Sequence, residues 1–584
     1  MAILDWVVVG SYCVILIAIG LLLKRKADRS IKDYFISGRS LPWWLAGTSM
    51  VATSYASDTP LFVTGLVRTK GVWGNWGWWA LGISTVMAIF LFSRFWRRAN
   101  IVTEVELTEL RYDGKSASFL RGFKAIYWGI LYNIIVVGGM VMVGLVAVIE
   151  VCVPGVSKEV AILSCCAIAL VYATLSGFWG VVVTDFLQFI LAMVGALLLA
   201  GFALYEIGGF GELWKGLEAY PDKVRMLPET GGNFWTSPFS WFLALICVQW
   251  WAWKNTDGGG LLVQRMLSCK NEKHAVYATL WFNIAHYALR SWPWILVALC
   301  SLLLLGASDI PTDAEGRLLE ERAYPVLINM LMPVGLKGLL IASFFAAFMS
   351  TADTYMNWGA SYCVNDFYKR FIRKKAEEKH YVLVSRLASV LILAGSAGVA
   401  LHVDRISESF FFILKFTAGI GMVHLARWFW WRTNAWSELS CMVITIPVIL
   451  LTETVRKYLG IPEGSLLFEL LWMVGGTMAV WVPVTLVTKP VGLGHITEFY
   501  KRVRPYGFWG PVRRLYPDVK PVTRLRSDLG MWGLGIALVY SATFGVGSLV
   551  LGNLAWGAGL IALSAVLLGF TLRQIRRAPE GVAE

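Results

Sequence analysis

The chain has 584 residues, 57% of them hydrophobic and only 15% charged, with a mean hydropathy of +0.62. A soluble domain carries about 45–50% apolar and about 25% charged residues, so water-soluble domains, disorder, collagen and small disulfide scaffolds are excluded. The net charge of +14, from 52 basic and 38 acidic residues, reads with this apolar content as basic loops beside a membrane rather than nucleic-acid binding.

A crossing helix needs about 20 apolar residues. Fifteen apolar spans follow in chain order: 4–23, 42–67, 74–93, 124–149, 159–175, 180–205, 238–263, 276–306, 325–361, 384–402, 408–426, 438–455, 466–488, 530–552 and 554–573. They predict an all-α, multi-spanning membrane protein with about 15 transmembrane helices. The nine cysteines are scattered, mostly inside apolar runs, without a CxxC pair or a Cys/His cluster. They read as small buried hydrophobes.

The first span is followed, not preceded, by Lys24-Arg25-Lys26. That argues for a retained helix with its N-terminus outside. Loop 24–41, loop 94–123 (Arg94, Arg97, Arg98, Arg111, Lys115, Arg121), loop 362–383 (Lys369, Arg370, Arg373, Lys374, Lys375, Lys379), loop 489–529 and the tail with Arg576 and Arg577 are all basic. With fifteen spans all five fall on one side, the cytoplasmic side of a cell membrane, and the C-terminus falls there too.

Two spans are interrupted. Ala56-Ser57-Asp58-Thr59-Pro60 breaks span two, and Asn255-Thr256-Asp257-Gly258-Gly259-Gly260 breaks span seven. Broken backbone inside a membrane is tolerated where protein or a water-filled cavity satisfies it. The breaks are five spans apart, at matching positions in spans 2–6 and 7–11. This is the pattern of a five-plus-five inverted-repeat transporter with its site between the breaks. The expected divisions are 1–32 (an extra helix and basic loop), 33–205 (first half), 206–430 (second half) and 431–584 (accessory helices, basic loop and tail).

Charges inside spans mark function by default. Asp58, Asp185, Lys254, Asp257, Arg290, Asp353 and Lys415 are the informative ones. In span nine, Ala347, Ser350, Thr351 and Thr354 follow i, i+3, i+4, i+7 and share a helix face, with Asp353 one step around. Hydroxyls, carbonyls and a carboxylate are hard oxygen ligands for a small hard cation, not a transition metal. Carbonyls opened at Ala56 and Thr59 would add to them. The same small residues would also suit close helix packing. Arg290 reads either as a snorkelling side chain or the partner of an acid such as Asp257, or as a counter-charge for an anionic solute. His286, four residues earlier, reads more readily as a hydrogen-bonded core histidine than as a proton carrier. Trp250, Trp251 and Trp253 suit a stacking wall for a ring-shaped solute and equally an interfacial belt. Asp58, Trp253, Asn255, Asp257, His286 and Arg290 are the candidates for the solute pocket.

There is no GxxxxGK[ST] phosphate loop, no TVGYG-like filter, and no HExxH or GxSxG motif. The expectation is therefore not an enzyme and not an ATP-driven pump. An ion gradient remains as the energy source, and no cofactor is expected beyond a coupling ion.

Four segments in order resemble the sodium:solute symporter family. They are Asp33-Tyr34-Phe35-Ile36-Ser37-Gly38-Arg39-Ser40-Leu41-Pro42-Trp43-Trp44, Gly177-Phe178-Trp179-Gly180 running to Thr184-Asp185-Phe186-Leu187-Gln188, Gln264-Arg265-Met266-Leu267, and Ser350-Thr351. The resemblance implies a five-plus-five fold with one preceding helix, and sodium-coupled uptake of a small organic solute by alternating access. It implies a sodium site on the carbonyls of Ala56, Thr59 and Ala347 and the hydroxyls of Ser350 and Thr351. A second cation site, as in two-sodium members, would use Asp185, Ser350, Asp353 and Thr354. The chain departs from the family with Asp353 where Ser is common, and with Gly258-Gly259-Gly260 where sugar-transporting members tend to have aromatic and Asn residues. By position, His286 falls near a Lys that contacts substrate in those members. The expected partners are the solute, Na+ and the bilayer, with no nucleic acid and no obligate protein partner. A proton-coupled symporter using Asp58, Asp185 or Asp353, or a solute sensor or channel on the same fold, is the alternative.

Overall fold

The structure is a computed structural model that describes residues 1–27, 37–54, 56–173 and 178–577. The motif residues Asp33 to Ile36 and Gly177, and part of the loop at 24–41, lie outside the described residues. Among the described residues the chain is helical, with only isolated strand-type bridges.

Each of the fifteen apolar runs carries helix. Among the described residues nine helices are long and apolar enough to cross a membrane, from Gly114–Cys152 to Leu554–Arg577. Two bent pairs, Val72–Trp79 with Gly82–Ala99 (42°) and Ile406–Thr417 with Ile420–Phe429 (44°), raise that to eleven. Of the four other runs, spans two and seven are broken. Spans one and five carry the helices Ile3–Ala27 and Lys158–Ala173, and each adjoins residues outside the described ones.

Span two is two helices, Trp43–Thr53 and Thr59–Lys70. Pro60 has no N–H to continue the first ladder and suits the start of the second helix. Span seven runs Pro238–Ala252, opens at Trp253 into an extended backbone, and restarts at Leu261–Ser268. Gly258 and Gly260 take positive φ (76° and 71°), which a side chain would resist. Span four approaches the first break closely. A methyl on Gly144 would overlap the backbone nitrogen of Asp58.

The first half of span two packs against the helices Glu272–Asn283 and Phe178–Ile207. Leu336–Ser361 in span nine packs on Phe178–Ile207 and reaches the same half-helix. These elements enclose the breaks. Leu525–Val550 and Leu554–Arg577 form a hairpin, and the most apolar window of the latter is only 11% buried, as suits a lipid-facing helix.

Candidate functional site

The first cluster surrounds Asp185 of span six, which is fully buried. Its Oδ1 accepts from Ser350 Oγ (2.5 Å) and its Oδ2 from Ser49 Oγ (2.5 Å), with Thr53 Oγ1 at 3.4 Å and Arg265 Nη2 at 3.5 Å. Arg265 Nη2 also donates to Thr53 Oγ1 (2.7 Å) and Thr354 Oγ1 (3.0 Å), and its Nε to Ser49 Oγ (3.2 Å). The guanidinium of span seven thus stands among Asp185, Thr354 and the hydroxyls of span two. Asp353 is buried, and its Oδ2 has no hydrogen-bond partner among the described residues.

Thr351 Oγ1 faces the carbonyl of Thr53 at 3.5 Å. This links span nine to the last turn before the first break. Inside the break, Thr59 Oγ1 accepts from Ala56 N–H (3.2 Å), and Thr59 N–H donates to the Ala56 carbonyl (3.2 Å). Ala347 lies one turn before Ser350 and Thr351 and is buried with them. Every oxygen in this group is a hydroxyl, carbonyl or carboxylate. That donor set fits sodium.

The second cluster carries the rings. Trp78 stacks on Tyr287 (centroids 5.9 Å, 19°), and His286 sits edge-on to both, at 5.6 and 4.5 Å. Trp253 Nε1 donates to Ser84 Oγ (3.2 Å). Among the described residues His286 Nδ1, Asn255 Oδ1, Thr256 Oγ1 and Asp58 Oδ1 are buried without a hydrogen-bond partner. Buried polar atoms are nearly always satisfied, so a group of orphans at both breaks marks a place for water or ligand.

Arg290 is placed differently from either reading above. It donates from Nη1 to the Val51 carbonyl (2.6 Å) and from Nη2 to the Ser54 carbonyl (2.5 Å). A widened turn at Ile284–Leu289, closed by Arg290 N–H to Ala285 O (3.1 Å), sets its direction. Pro293 follows and has no N–H for the ladder.

Asp257 pairs with Arg427 at the end of span eleven, not with Arg290. Its Oδ2 accepts from Arg427 Nη2 (2.6 Å) and Trp428 Nε1 (2.6 Å). Arg427 also reaches Glu104 (3.4 Å), and Glu104 accepts from Gly260 N–H (2.6 Å). Lys254 lies buried among Trp128, Tyr132 and Trp358, its Nζ 4.4–4.8 Å from the ring centroids. Lys124, Glu438 and Tyr112 extend the network. Lys415 pairs with Glu469 at 3.4 Å. Thus Asp257 and Lys254 belong to a charge network, while Trp253 reaches span three through Ser84.

Ser49, Thr53 and the position of Arg265 were not foreseen. The signal was present: Ser49 and Thr53 are spaced i, i+4 in an apolar half-helix, and Arg265 is the one charge in Leu261–Ser268.

A family model, the sodium:solute symporter family, matches residues 34–444. A sodium/glucose cotransporter of Vibrio parahaemolyticus is 27% identical over 476 residues, covering 76% of this chain and 84% of that protein. Sodium/glucose cotransporter 1 of Oryctolagus cuniculus is 26% identical over 470 residues, covering 74% and 69%. The solved structure of a Na+-coupled sialic acid symporter, in a substrate-bound outward-open state, aligns at a TM-score of 0.67 and 19% identity, covering 84% of this chain and 99% of that one. At that identity the likeness speaks for the fold alone. The clusters thus sit in a transporter rather than an enzyme, a multi-pass membrane protein of Na+-coupled solute transport, and the chain belongs to the sodium:solute symporter family.

Proposed function

We propose that this protein couples sodium entry to the uptake of a small, ring-shaped, hydroxyl-bearing solute by alternating access. The observation that carries the reading is the set of orphaned buried acceptors at the two breaks: Asp58 Oδ1, Asn255 Oδ1 and Thr256 Oγ1. They accept from hydroxyls, and the Trp78, Trp253, Tyr287 and His286 rings offer a face for a ring. The reading of Arg290 as a counter-charge for an anionic solute loses support, because its guanidinium donates to backbone carbonyls. Relatives named for glucose fit the same class.

In this reading sodium binds the carbonyls of Ala56, Thr59 and Ala347 and the hydroxyls of Ser350 and Thr351. It bridges spans two and nine, orders the first break, and so completes the solute pocket. Ion and solute are coupled because both favour one conformation. Each sodium contributes about 2.3 kcal/mol per 100 mV of membrane potential. The N-terminus lies outside and the basic loops inside. Residues 33–205 and 206–430 form the two halves, preceded by 1–32 and followed by 431–584.

A second cation at Asp185, Ser350, Asp353 and Thr354 would compete with the Arg265 guanidinium already held by Asp185 and Thr354. We therefore favour one sodium per cycle. The unpartnered Asp353 Oδ2 supports a secondary reading, in which Asp353 carries a proton.

The test is uptake into proteoliposomes of glucose, galactose, myo-inositol, glucuronate and alanine, under an inward sodium gradient and with choline instead. Concentrative, sodium-dependent uptake of one of the ring solutes supports the reading. Uptake that follows a proton gradient and ignores sodium moves it to Asp353. Equilibration without accumulation would contradict coupling.

A further inference from the structure

A helix that stops inside a membrane leaves its last carbonyls without intrahelical donors. For the first half of span two these are all accounted for. Ser54 N–H serves Met50 (3.1 Å) and also Ala52. Thr351 Oγ1 faces Thr53. The carbonyls of Val51 and Ser54 are both taken by one side chain, Arg290. Its guanidinium is buried, comes from span eight, and stands beside the Trp294 ring (5.5 Å). A cation at a helix C-terminus is favoured by the helix dipole, and a planar fork can hold two carbonyls at once. Lysine donates from a single nitrogen and cannot present two donors in that fixed planar geometry.

Ser54 precedes Ala56 by two positions and Thr59 by five in the sequence, and the sodium reading uses the carbonyls of Ala56 and Thr59. We infer that Arg290 is a positioning residue for the sodium site: by clamping Val51 and Ser54 it fixes the direction in which the chain leaves the half-helix, and so aims the Ala56 carbonyl at the ion. This inference rests on the sodium reading above. It gives span eight, which supplies no sodium ligand, control over sodium affinity.

Position and charge predict opposite results. If Arg290 acted only as a nearby positive charge, removing it would tighten sodium binding, and a lysine would change nothing. If it acts by position, both changes weaken sodium binding, and lysine less than a neutral residue.

The experiment measures the sodium concentration that half-saturates the thermal stabilisation of purified protein, with choline keeping ionic strength constant. It compares wild type, Arg290→Gln, Arg290→Lys and Thr351→Ala. The expected result is a rise of about tenfold for Arg290→Gln and a smaller rise for Arg290→Lys, whatever happens to the baseline stability in choline. Lys keeps the charge, so it serves if the Gln variant does not fold. An unchanged or lowered half-saturation in either variant, with only the choline baseline shifted, would overturn the inference and leave the sodium reading standing if Thr351→Ala still responds weakly. A wild type with no response to sodium would overturn that reading itself.

Discussion

Ser350 of span nine donates to Oδ1 of Asp185 in span six across 2.5 Å, while the other oxygen of that carboxylate holds Ser49 of span two. One buried carboxylate thus ties three elements together, and Arg265 adds a fourth. Removing one partner of a buried ion pair leaves an uncompensated charge and costs about 3–5 kcal/mol. Asp185→Ala is therefore expected to lower the thermal midpoint strongly. Asp185→Asn with Arg265→Met, which removes both charges, should recover part of that loss. A double variant no more stable than Asp185→Ala would contradict this.

The Asp257–Arg427 pair makes a similar prediction at the other break. Arg427→Met leaves Asp257 with only Trp428 Nε1 and Gly259 N–H. The expected loss is again about 3–5 kcal/mol. Because the two residues share one interaction, a double-mutant cycle with Asp257→Asn should show a coupling above about 1 kcal/mol. Additive losses in chemical denaturation would mean that the pair does not act as a unit.

Gly144 tests the geometry of the first break. Its Cβ position is occupied by the Asp58 backbone. Gly144→Ala is expected to cost about 1–3 kcal/mol by overpacking. It should also blunt the stabilising response to sodium, since the break itself must shift. A normal sodium response in this variant would place the ion elsewhere.

The loop between spans eight and nine carries a pH prediction. Burial acts to raise the Asp313 pKa, but the Arg405 side chain, then the backbone and side chain of Arg317, pull it below its ordinary 3.8 to about 2. Arg405 Nη2 lies 2.7 Å away and Arg317 Nε 2.9 Å. A depressed carboxyl pKa gives stability that is present above about 3.8 and lost as pH falls toward 2. Hydrogen exchange at Gly316 and Arg317 should stay slow from pH 8 to 5, and speed up in Asp313→Asn at every pH. Equal protection in the two proteins would refute the contact.

Much of this arrangement was legible in the sequence, and the limits were physical. Pro60 and the Gly258–Gly260 triplet announced both breaks, because proline and glycine act on the backbone where they stand. Ser350 and Thr351 could be put on one face from helical spacing alone. Arg290 could not be placed from span eight, because its partners are the orphaned carbonyls of another helix. Asp257 went to Arg427, 170 residues away, for the same reason: pairing across spans has no local signature. The expected fifteen crossings exceed the eleven that length and hydropathy give among the described residues, and spans two and seven are missing from that number because a break divides each into short helices.

The most direct test of the central claim, that sodium bridges spans two and nine, is a sodium titration of thermal stability for wild type, Ser350→Ala and Thr351→Ala, with choline as the balancing cation. The account predicts a saturable rise in the wild type, and a half-saturating concentration at least tenfold higher in both variants. A wild-type sodium response retained by both variants would contradict it.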